Sequence, residues 1–526
     1  MKKIKSIILA LSFLAAAGCE QEVLDQQPPE VVEEPTPSAG SANFSKYVAI
    51  GTSISAGFQA GALFTDGQNE SLGAILAGQF AGVNSNAAFN QPTIGSVNGY
   101  NATFSSPPGL ILGRMILFDP DGAGPRSAGP TPSKHPGGVN SCTNVSTPPV
   151  PAPYNTADLP TPYTGNKTLL NNFSVPGIIA YQLTQAGTGN PANPLYNGLY
   201  ARFASAPGTS TILGDALGAA PTFFTFELGF NEAVGYAAKG ATGADLTTAP
   251  YDPATFSAVV NGSVATILGT FTSSKGVIAN VPDVTKLPHF SLVAWNSIVL
   301  PDQATIDATN AAYAAYNGGL DLALAGGYPG LTAEEVAKRK IQFTTGKNGI
   351  VIIDEKLTDL TPVNAGLVKM RMATAADKIT LGAGAILGTR ADCANPASVY
   401  GVGVPLADQY TLTASEIVEI QTAITGYNDA INTLVTANST RLAKADLYTA
   451  FNNWVAAGAV SANGILVTPS ITPPLAGFSE DGVHPNGKGT AIFANVFIDA
   501  INTTFGAALN KANVTKYKGT RTPLNP

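Results

Sequence analysis

The chain has 526 residues, and only 12% of them are charged, against about 25% in an average soluble protein. Its 28 basic and 35 acidic residues give a formal net charge of −7. Proteins that bind nucleic acid concentrate lysine and arginine on one surface. The composition therefore argues against nucleic acid as a partner.

The first 19 residues have the pattern of an export signal. A basic start with three lysines precedes an apolar run over residues 7–17, which is too short to span a bilayer. The tetrapeptide Ala16-Ala17-Gly18-Cys19 resembles the bacterial lipobox, in which the cysteine becomes the lipidated N-terminus. We expect an exported protein that a lipid on Cys19 anchors to a membrane, with the outer membrane as the expected location and its face left open. An ordinary secretory signal that contains a cysteine is the alternative.

Residues 20–43 are rich in Pro, Glu, Gln and Ser, which predicts a disordered tether. From residue 44 to residue 526 no second linker interrupts the chain, so we expect one enlarged domain with insertions. The first insertion covers about residues 86–165 and is dominated by Pro, Gly, Ser, Thr and Asn. The second covers about residues 303–420.

Strands and helices alternate along the predicted domain. In chain order we predict a strand over 46–50, a strand over 222–228, a helix over 256–271, a strand over 276–281, a helix over 303–316 that stops at Asn317-Gly318-Gly319, a short helix after Thr332, a strand over 350–353, a helix from Thr413 to about Ala437 and a helix over 489–503. This alternation predicts an α/β fold with a mostly parallel sheet and helices on both faces.

Apart from Cys19, the chain contains only Cys142 and Cys393. A disulfide between them is possible in an exported protein, and the sequence leaves that pairing open. Two isolated cysteines do not make a zinc site, and the phosphate-binding and metal-binding motifs are absent from the sequence. We therefore expect neither a metal nor a cofactor.

Ser53 follows the first predicted strand, within Gly51-Thr52-Ser53-Ile54-Ser55. Open α/β sheets carry their reactive groups at the carboxyl ends of the strands, so a serine in this turn is a candidate nucleophile. The alternative is that Ser53 merely caps the next helix. Ser55 is a rival nucleophile that lies further into the turn.

His484 is the candidate general base and one of only three histidines in the chain. It lies in Asp481-Gly482-Val483-His484-Pro485, and an aspartate three residues before a histidine can hold the imidazole in one tautomer, as a hydrolytic triad requires. The alternative is a histidine that contributes to a helix cap. We expect His135, in a turn-rich loop, and His289, just after the third predicted strand, to be structural or on the surface.

Gly177 and Asn231 are candidate donors to an oxyanion. Asn231 follows the 222–228 strand, so its amide should project from the same sheet edge as Ser53. Gly177 precedes a run with helical spacing, where a backbone N–H has no partner. Together with the Ser53 N–H, they would meet the negative charge that ester hydrolysis builds on the carbonyl oxygen. Taken singly, a loop glycine and a turn-capping asparagine are the alternatives.

In this order, Gly51-Thr52-Ser53-Ile54, Gly177, Gly229-Phe230-Asn231-Glu232 and Asp481-Gly482-Val483-His484 resemble the four sequence blocks of SGNH (GDSL-type) hydrolases. The resemblance is closest to lipoprotein members of that family from Bacteroidetes. It reaches from about Lys46 to the closing helix, although most of the intervening chain carries no motif. The resemblance implies a flavodoxin-like three-layer α/β/α fold, with Ser53 as nucleophile, His484 as base, Asp481 as its orienting partner, and Ser53, Gly177 and Asn231 as oxyanion hole.

Two positions depart from the family pattern. Thr52 replaces the aspartate of Gly-Asp-Ser, and Glu232 replaces the aspartate of Gly-x-Asn-Asp. Neither side chain performs the covalent chemistry, so we expect a serine esterase or lipase that cleaves small-molecule, lipid or glycan esters through an acyl-enzyme. The alternative is a catalytically degenerate surface lipoprotein that binds glycan or lipid.

Overall fold

The computed structural model describes residues 36–84, 88–97, 99–100, 113–118, 126–128 and 161–520. Residues Pro37–Pro526 cluster as one compact unit. The predicted export signal with Cys19, most of the predicted tether, His135 and Cys142 lie outside the described residues. None of the described helices is both long enough and apolar enough to cross a membrane.

The described strands and helices alternate along the chain. The strands are β1 (Tyr47–Gly51), β2 (Phe58–Gln59), β3 (Ala62–Leu63), β4 (Ile116–Phe118), β5 (Arg126–Ala128), β6 (Phe223–Glu227), β7 (Lys275–Ala279), β8 (Ile298–Val299), β9 (Lys347–Asn348), β10 (Val351–Ile353), β11 (Met370–Met372), β12 (Lys378–Ile379), β13 (Thr411–Leu412), β14 (Leu442–Ala445), β15 (Val460–Ala462) and β16 (Ile465–Val467). The α-helices are α1 (Ser53–Ala56), α2 (Thr65–Asn69), α3 (Leu72–Ala81), α4 (Gly198–Ala201), α5 (Ile212–Gly218), α6 (Phe230–Ala237), α7 (Pro253–Thr270), α8 (Gln303–Ala325), α9 (Ala333–Arg339), α10 (Ala414–Ala437), α11 (Leu447–Ala457) and α12 (Gly487–Phe505).

A parallel sheet in the order β1-β6-β7-β14 forms the centre of the molecule. Its strands are short apolar runs that are buried on both faces, as parallel strands covered by helices require. Helices α3 and α12 pack together on one side, and α7 and α10 pack together on the other. The prediction of a three-layer α/β fold with a parallel sheet is confirmed.

Helix α12 shows how one pattern in the sequence becomes a layer of the fold. Its apolar residues recur every three or four positions, and Phe493, Phe497 and Ile501 are all nearly fully buried. The helix begins at Gly487, and the preceding residue Asn486 caps it. The Asn486 side chain accepts a hydrogen bond from the Gly489 N–H at 3.1 Å. This capped start fixes the end of the loop that carries His484.

A second apolar core lies within residues 298–406, and we call this part of the chain the inserted lobe. Its centre is the antiparallel pair of β10 and β11, covered by α8 and α9. The predicted strand over 350–353 therefore exists, but it belongs to this small sheet and not to the central parallel sheet. In the lobe, Arg371 bridges two buried carboxylates, with Nε 2.6 Å from Asp354 and Nη1 2.7 Å from Asp377.

Helix α8 corrects the prediction that the helix stops at Asn317-Gly318-Gly319. The helix continues through both glycines to Ala325. A Cβ on Gly319 would come within 2.8 Å of the Leu367 side chain, so this glycine allows close packing and does not break the helix. The Asn317 amide is also paired, because it donates to the Ile341 carbonyl at 2.9 Å.

Two further boundaries differ from the sequence prediction. The folded part starts before residue 44, because Ser38 pairs with Ala508 and the Ser41 N–H donates to the Phe505 carbonyl at 2.8 Å. The run after Gly177 forms only a short 3-10 helix, Ala180–Leu183. Cys393 is disulfide-bonded, while its predicted partner Cys142 lies outside the described residues, so that pairing stays a prediction.

Candidate active site

Three of the predicted site residues lie at one edge of the central sheet. Gly51, the last residue of β1, pairs with Glu227, the last residue of β6. The segment before Gly177 runs along the other side of β1, where the Val175 N–H donates to the Gly51 carbonyl at 3.0 Å. Ser53, Gly177 and Asn231 therefore follow three neighbouring segments by two to four residues each, at the carboxyl end of the sheet.

Glu227 organises the turn that holds Ser53. Its buried carboxylate accepts the Thr52 N–H at 2.9 Å, the Thr52 hydroxyl at 2.8 Å and the Ser55 hydroxyl at 3.1 Å. Burial raises the pKa of Glu227, and these hydrogen bonds oppose that rise. Ser55, the rival nucleophile, is fully buried, and its hydroxyl is engaged by this carboxylate.

Asp481 and His484 form the predicted pair. Asp481 Oδ2 lies 2.9 Å from His484 Nδ1, and Asp481 Oδ1 accepts the backbone N–H groups of Val483 and His484 at 2.8 and 2.9 Å. Burial alone would raise the pKa of Asp481, but the charge of His484 and these hydrogen bonds outweigh it and hold the pKa at about 2. The carboxylate therefore stays ionised and can hold the imidazole in one orientation.

The turn between β2 and β3 clamps the Asp481 loop. The Gly61 N–H donates to Asp481 Oδ2 at 2.7 Å, and the Ala60 N–H donates to the Ser479 hydroxyl at 2.8 Å. The Phe58 ring lies 5.0 Å from the His484 ring, centre to centre, in an edge-on contact. Because Phe58 lies two residues after the end of α1, this contact brings the imidazole next to the segment that begins with Ser53.

Ser53 itself is 2% exposed and is the first residue of α1. Within the described residues, no hydrogen bond of 3.5 Å or less joins the Ser53 hydroxyl to the His484 imidazole. Catalytic hydrogen bonds are often long before substrate binds. The structure thus brings Asp481 and His484 into direct contact. Ser53 lies at the carboxyl end of the central sheet, without a hydrogen bond to His484.

The predicted oxyanion donors have N–H groups that could bind a substrate oxygen. In the described part of the chain, the backbone N–H groups of Ser53 and Gly177 donate no hydrogen bond. Gly177 is exposed and has a φ of +78°, which glycine adopts readily. Asn231 donates one side-chain N–H to the Ile178 carbonyl at 2.7 Å, and an amide nitrogen carries a second N–H.

Glu232 links the Gly177 segment to α6. Its Oε1 accepts the Ala180 N–H at 2.6 Å, while its Oε2 is buried without a partner. Burial raises the pKa of Glu232 to about 7. Asn231 and Glu232 together fix both ends of the short segment that follows Gly177.

His289 was expected to be structural or on the surface, and the structure gives it a half-buried position behind the Asp481 loop. The His289 N–H donates to the Gly482 carbonyl at 2.9 Å, and burial lowers the pKa of its imidazole. Gly482 has a φ of +70°, and a Cβ there would lie 3.0 Å from the His289 nitrogen. Its place after the third predicted strand indicates this end of the sheet, but nothing in the sequence indicates its contact with Gly482.

Comparisons with known proteins found no match to this chain. No family model matches the chain, and no curated protein or solved structure does either. Among the described residues, the group of side chains suited to a metal ion is Glu355, Asp408 and Glu416, away from Ser53 and His484 in the chain. Any inference about function therefore depends on the geometry of the site at the sheet edge.

Proposed function

We propose that the chain is a serine esterase of the SGNH type. The observation that carries the proposal is the Asp481–His484 pair, with Oδ2 and Nδ1 2.9 Å apart, packed through Phe58 against the segment that begins with Ser53. Carboxylate, imidazole and hydroxyl in neighbouring positions are the parts of a hydrolytic triad. Three donors at the same sheet edge fit the charge that acyl transfer develops.

In the proposed reaction, Asp481 accepts the Nδ1–H of His484 and so leaves Nε2 free to act as a base. His484 takes the proton of the Ser53 hydroxyl as its oxygen attacks the ester carbonyl carbon. The tetrahedral intermediate collapses when the protonated His484 gives that proton to the leaving alcohol, and an acyl-Ser53 forms. Water, activated by His484, then attacks the acyl carbon, releases the carboxylic acid and restores Ser53.

In this mechanism the oxyanion interacts with the Ser53 N–H, the Gly177 N–H and the second amide N–H of Asn231. The bond from Asn231 to the Ile178 carbonyl fixes the Asn231 side chain next to the Gly177 segment before substrate arrives. Donors that are already oriented stabilise a transition state without reorganising during the reaction.

The two departures from the family pattern fit this proposal. Thr52 cannot supply a carboxylate, but its N–H and hydroxyl both bind the Glu227 carboxylate of the neighbouring strand. Glu232 uses its carboxyl group to hold the Ala180 N–H. Both residues position the turn and the loop, so their exchange leaves Ser53, Asp481 and His484 unaltered. We further propose export and lipid anchoring at Cys19, with an ester of a small molecule, lipid or glycan as substrate.

A direct test is hydrolysis of p-nitrophenyl esters by the mature chain and its Ser53→Ala variant. We expect Ser53→Ala to lower kcat by about 10⁶. Ser45→Ala is a matched control, because Ser45 is an exposed serine just ahead of β1 and its removal should leave kcat unchanged. Full activity of Ser53→Ala would rule out Ser53 as the nucleophile.

A catalytically degenerate lipoprotein that binds glycan or lipid is the second candidate. The observation that favours it is the missing Ser53–His484 hydrogen bond in the described structure, together with 2% exposure of Ser53. This alternative predicts no ester hydrolysis by the wild-type chain and binding of a glycan or lipid that Ser53→Ala leaves intact. Measurable hydrolysis that depends on Ser53 excludes it.

A further inference from the structure

Three carboxylates converge where the inserted lobe meets the helical layer of the main core. Glu355 follows β10 in the lobe, Asp408 begins a 3-10 helix at residues 408–410 near the end of the lobe, and Glu416 lies in the first turn of α10. One carboxylate oxygen from each residue lies within 4.8 Å of one from each of the others. None of the three contributes to the proposed esterase mechanism.

Each of these carboxyl groups has one buried oxygen that accepts no hydrogen bond from described residues outside the cluster, namely Glu355 Oε2, Asp408 Oδ1 and Glu416 Oε1. Glu416 is fully buried, and its other oxygen accepts the Thr413 N–H at 2.7 Å. This capping contact fixes the side chain, so its unpartnered oxygen is held inside the cluster. A fully buried carboxylate oxygen without a partner is costly unless a proton or a cation satisfies it.

The positive charge nearby does not balance the cluster. Lys356 Nζ lies 3.3 Å from Glu355 Oε1, which is not the unpartnered oxygen. Neighbouring Asp354 is already bound by Arg371 at 2.6 Å and by Lys338 at 3.2 Å, so those cations are engaged. Glu419 lies one turn further along α10 and adds negative charge on this side, where it acts on Tyr236.

We propose that Glu355, Asp408 and Glu416 form a binding site for Ca²⁺ that joins the inserted lobe to α10. An all-oxygen set of carboxylates suits a hard divalent cation. With Ca²⁺–oxygen distances of about 2.3–2.6 Å, opposite ligands stand about 5 Å apart, so oxygens within 4.8 Å of one another can share one ion. Mg²⁺ needs shorter distances and keeps much of its water, which a set of buried oxygens does not favour.

The same cluster without an ion must hold protons. Burial and the neighbouring Glu355 raise the pKa of Asp408 to about 7 and that of Glu416 to about 8. Binding of Ca²⁺ to carboxylates displaces such protons.

Isothermal titration of CaCl₂ into the chelator-treated mature chain tests the site. We expect one Ca²⁺ per chain. Asp408→Asn and Glu416→Gln should each weaken binding by at least about tenfold, since each removes one anionic ligand. Asp429→Asn is the matched control, because Asp429 is exposed on the same helix α10. The Ca²⁺ affinity of this variant should equal that of wild type.

Absence of heat in the wild-type chain with native circular dichroism would overturn the proposal and leave a proton-sharing acid cluster. Binding that both Asp408→Asn and Glu416→Gln leave unchanged would overturn it as well, because the ion would then bind elsewhere. If one of these variants does not fold, Glu355→Gln keeps the proposal testable, since it removes the third anionic ligand of the group. None of these outcomes depends on esterase activity.

Discussion

Asp481 Oδ2 accepts a hydrogen bond from the Gly61 N–H at 2.7 Å, although the two residues are 420 positions apart in the chain. The same oxygen lies 2.9 Å from His484 Nδ1. The turn after β2 therefore fixes the carboxylate that in turn fixes the imidazole. This relationship joins the segment that carries Ser53 to the loop that carries His484, and it makes the orientation of His484 dependent on both ends of the folded chain.

Asp481→Asn should abolish most of the activity while the fold persists. The amide has nearly the same shape, but its NH₂ group cannot accept the Nδ1–H, so the imidazole loses the tautomer that leaves Nε2 as base. We expect kcat to fall by about 10⁴. Steady-state kinetics with a p-nitrophenyl ester measure this, and circular dichroism checks the fold. Activity within tenfold of wild type would show that Asp481 does not orient the base.

The Asp481 carboxylate also predicts how stability responds to acid. Its pKa in the folded chain is about 2, below the ordinary value of 3.8, so the ionised form stabilises the fold. That stabilisation is fully present above about pH 4 and is lost as the pH falls toward 2. Urea unfolding of wild type and Asp481→Asn at pH 6 and pH 3 should show a smaller difference in unfolding free energy at pH 3. An equal difference at both values would contradict the depressed pKa.

Asn231→Ala removes one proposed oxyanion donor and should lower kcat by roughly 10²–10³, with a smaller change in KM. The variant also loses the bond to the Ile178 carbonyl, which calls for a control. Glu232→Gln, at the same loop, keeps the shape of the side chain and an oxygen that accepts the Ala180 N–H. The kcat of this variant should therefore stay near that of wild type. Equal losses in both variants would mean that loop order, and not an oxyanion contact, explains the role of Asn231.

Glu232 gives a separate prediction for stability in the neutral range. Burial raises its pKa from 4.5 to about 7, so the protonated form favours the folded state. Its contribution is fully present below about pH 4.5 and is lost as the pH rises through 7, a change of roughly 2 kcal/mol between pH 5 and pH 8. Because Asp408 and Glu416 titrate in the same range, the comparison is between wild type and Glu232→Gln. Unfolding curves for Glu232→Gln should fall less steeply with pH, and parallel pH dependences would contradict the prediction.

The sequence was most informative where local pattern determines structure. An apolar run that ends at Gly51 predicted both β1 and the position of Ser53, and Asp481-Gly482-Val483-His484 predicted the contact between Asp481 and His484 because both residues share one loop. The parallel order of the sheet followed from alternation of strands and helices. Each of these inferences needed only neighbours in the chain.

Contacts between distant segments were not predictable in this way. Glu227 binds Thr52 from another strand, and His289 packs behind Gly482, although nothing in either local sequence indicates the partner. The cluster of Glu355, Asp408 and Glu416 brings together three segments with no shared motif. The predicted end of α8 was wrong because the glycines were interpreted as a helix end. Gly319 packs against Leu367, and a local sequence pattern cannot distinguish a glycine that allows close packing from one that ends a helix.

Labelling of the mature chain with a fluorophosphonate probe, followed by mass spectrometry of the modified peptide, tests the central claim most directly. The probe forms a covalent bond only with a serine that a nearby base activates. We predict a single modification on Ser53 that His484→Ala abolishes and Ser45→Ala leaves intact. A natively folded chain that takes no label, or label on a different serine, would contradict the assignment of Ser53, His484 and Asp481 as a catalytic triad.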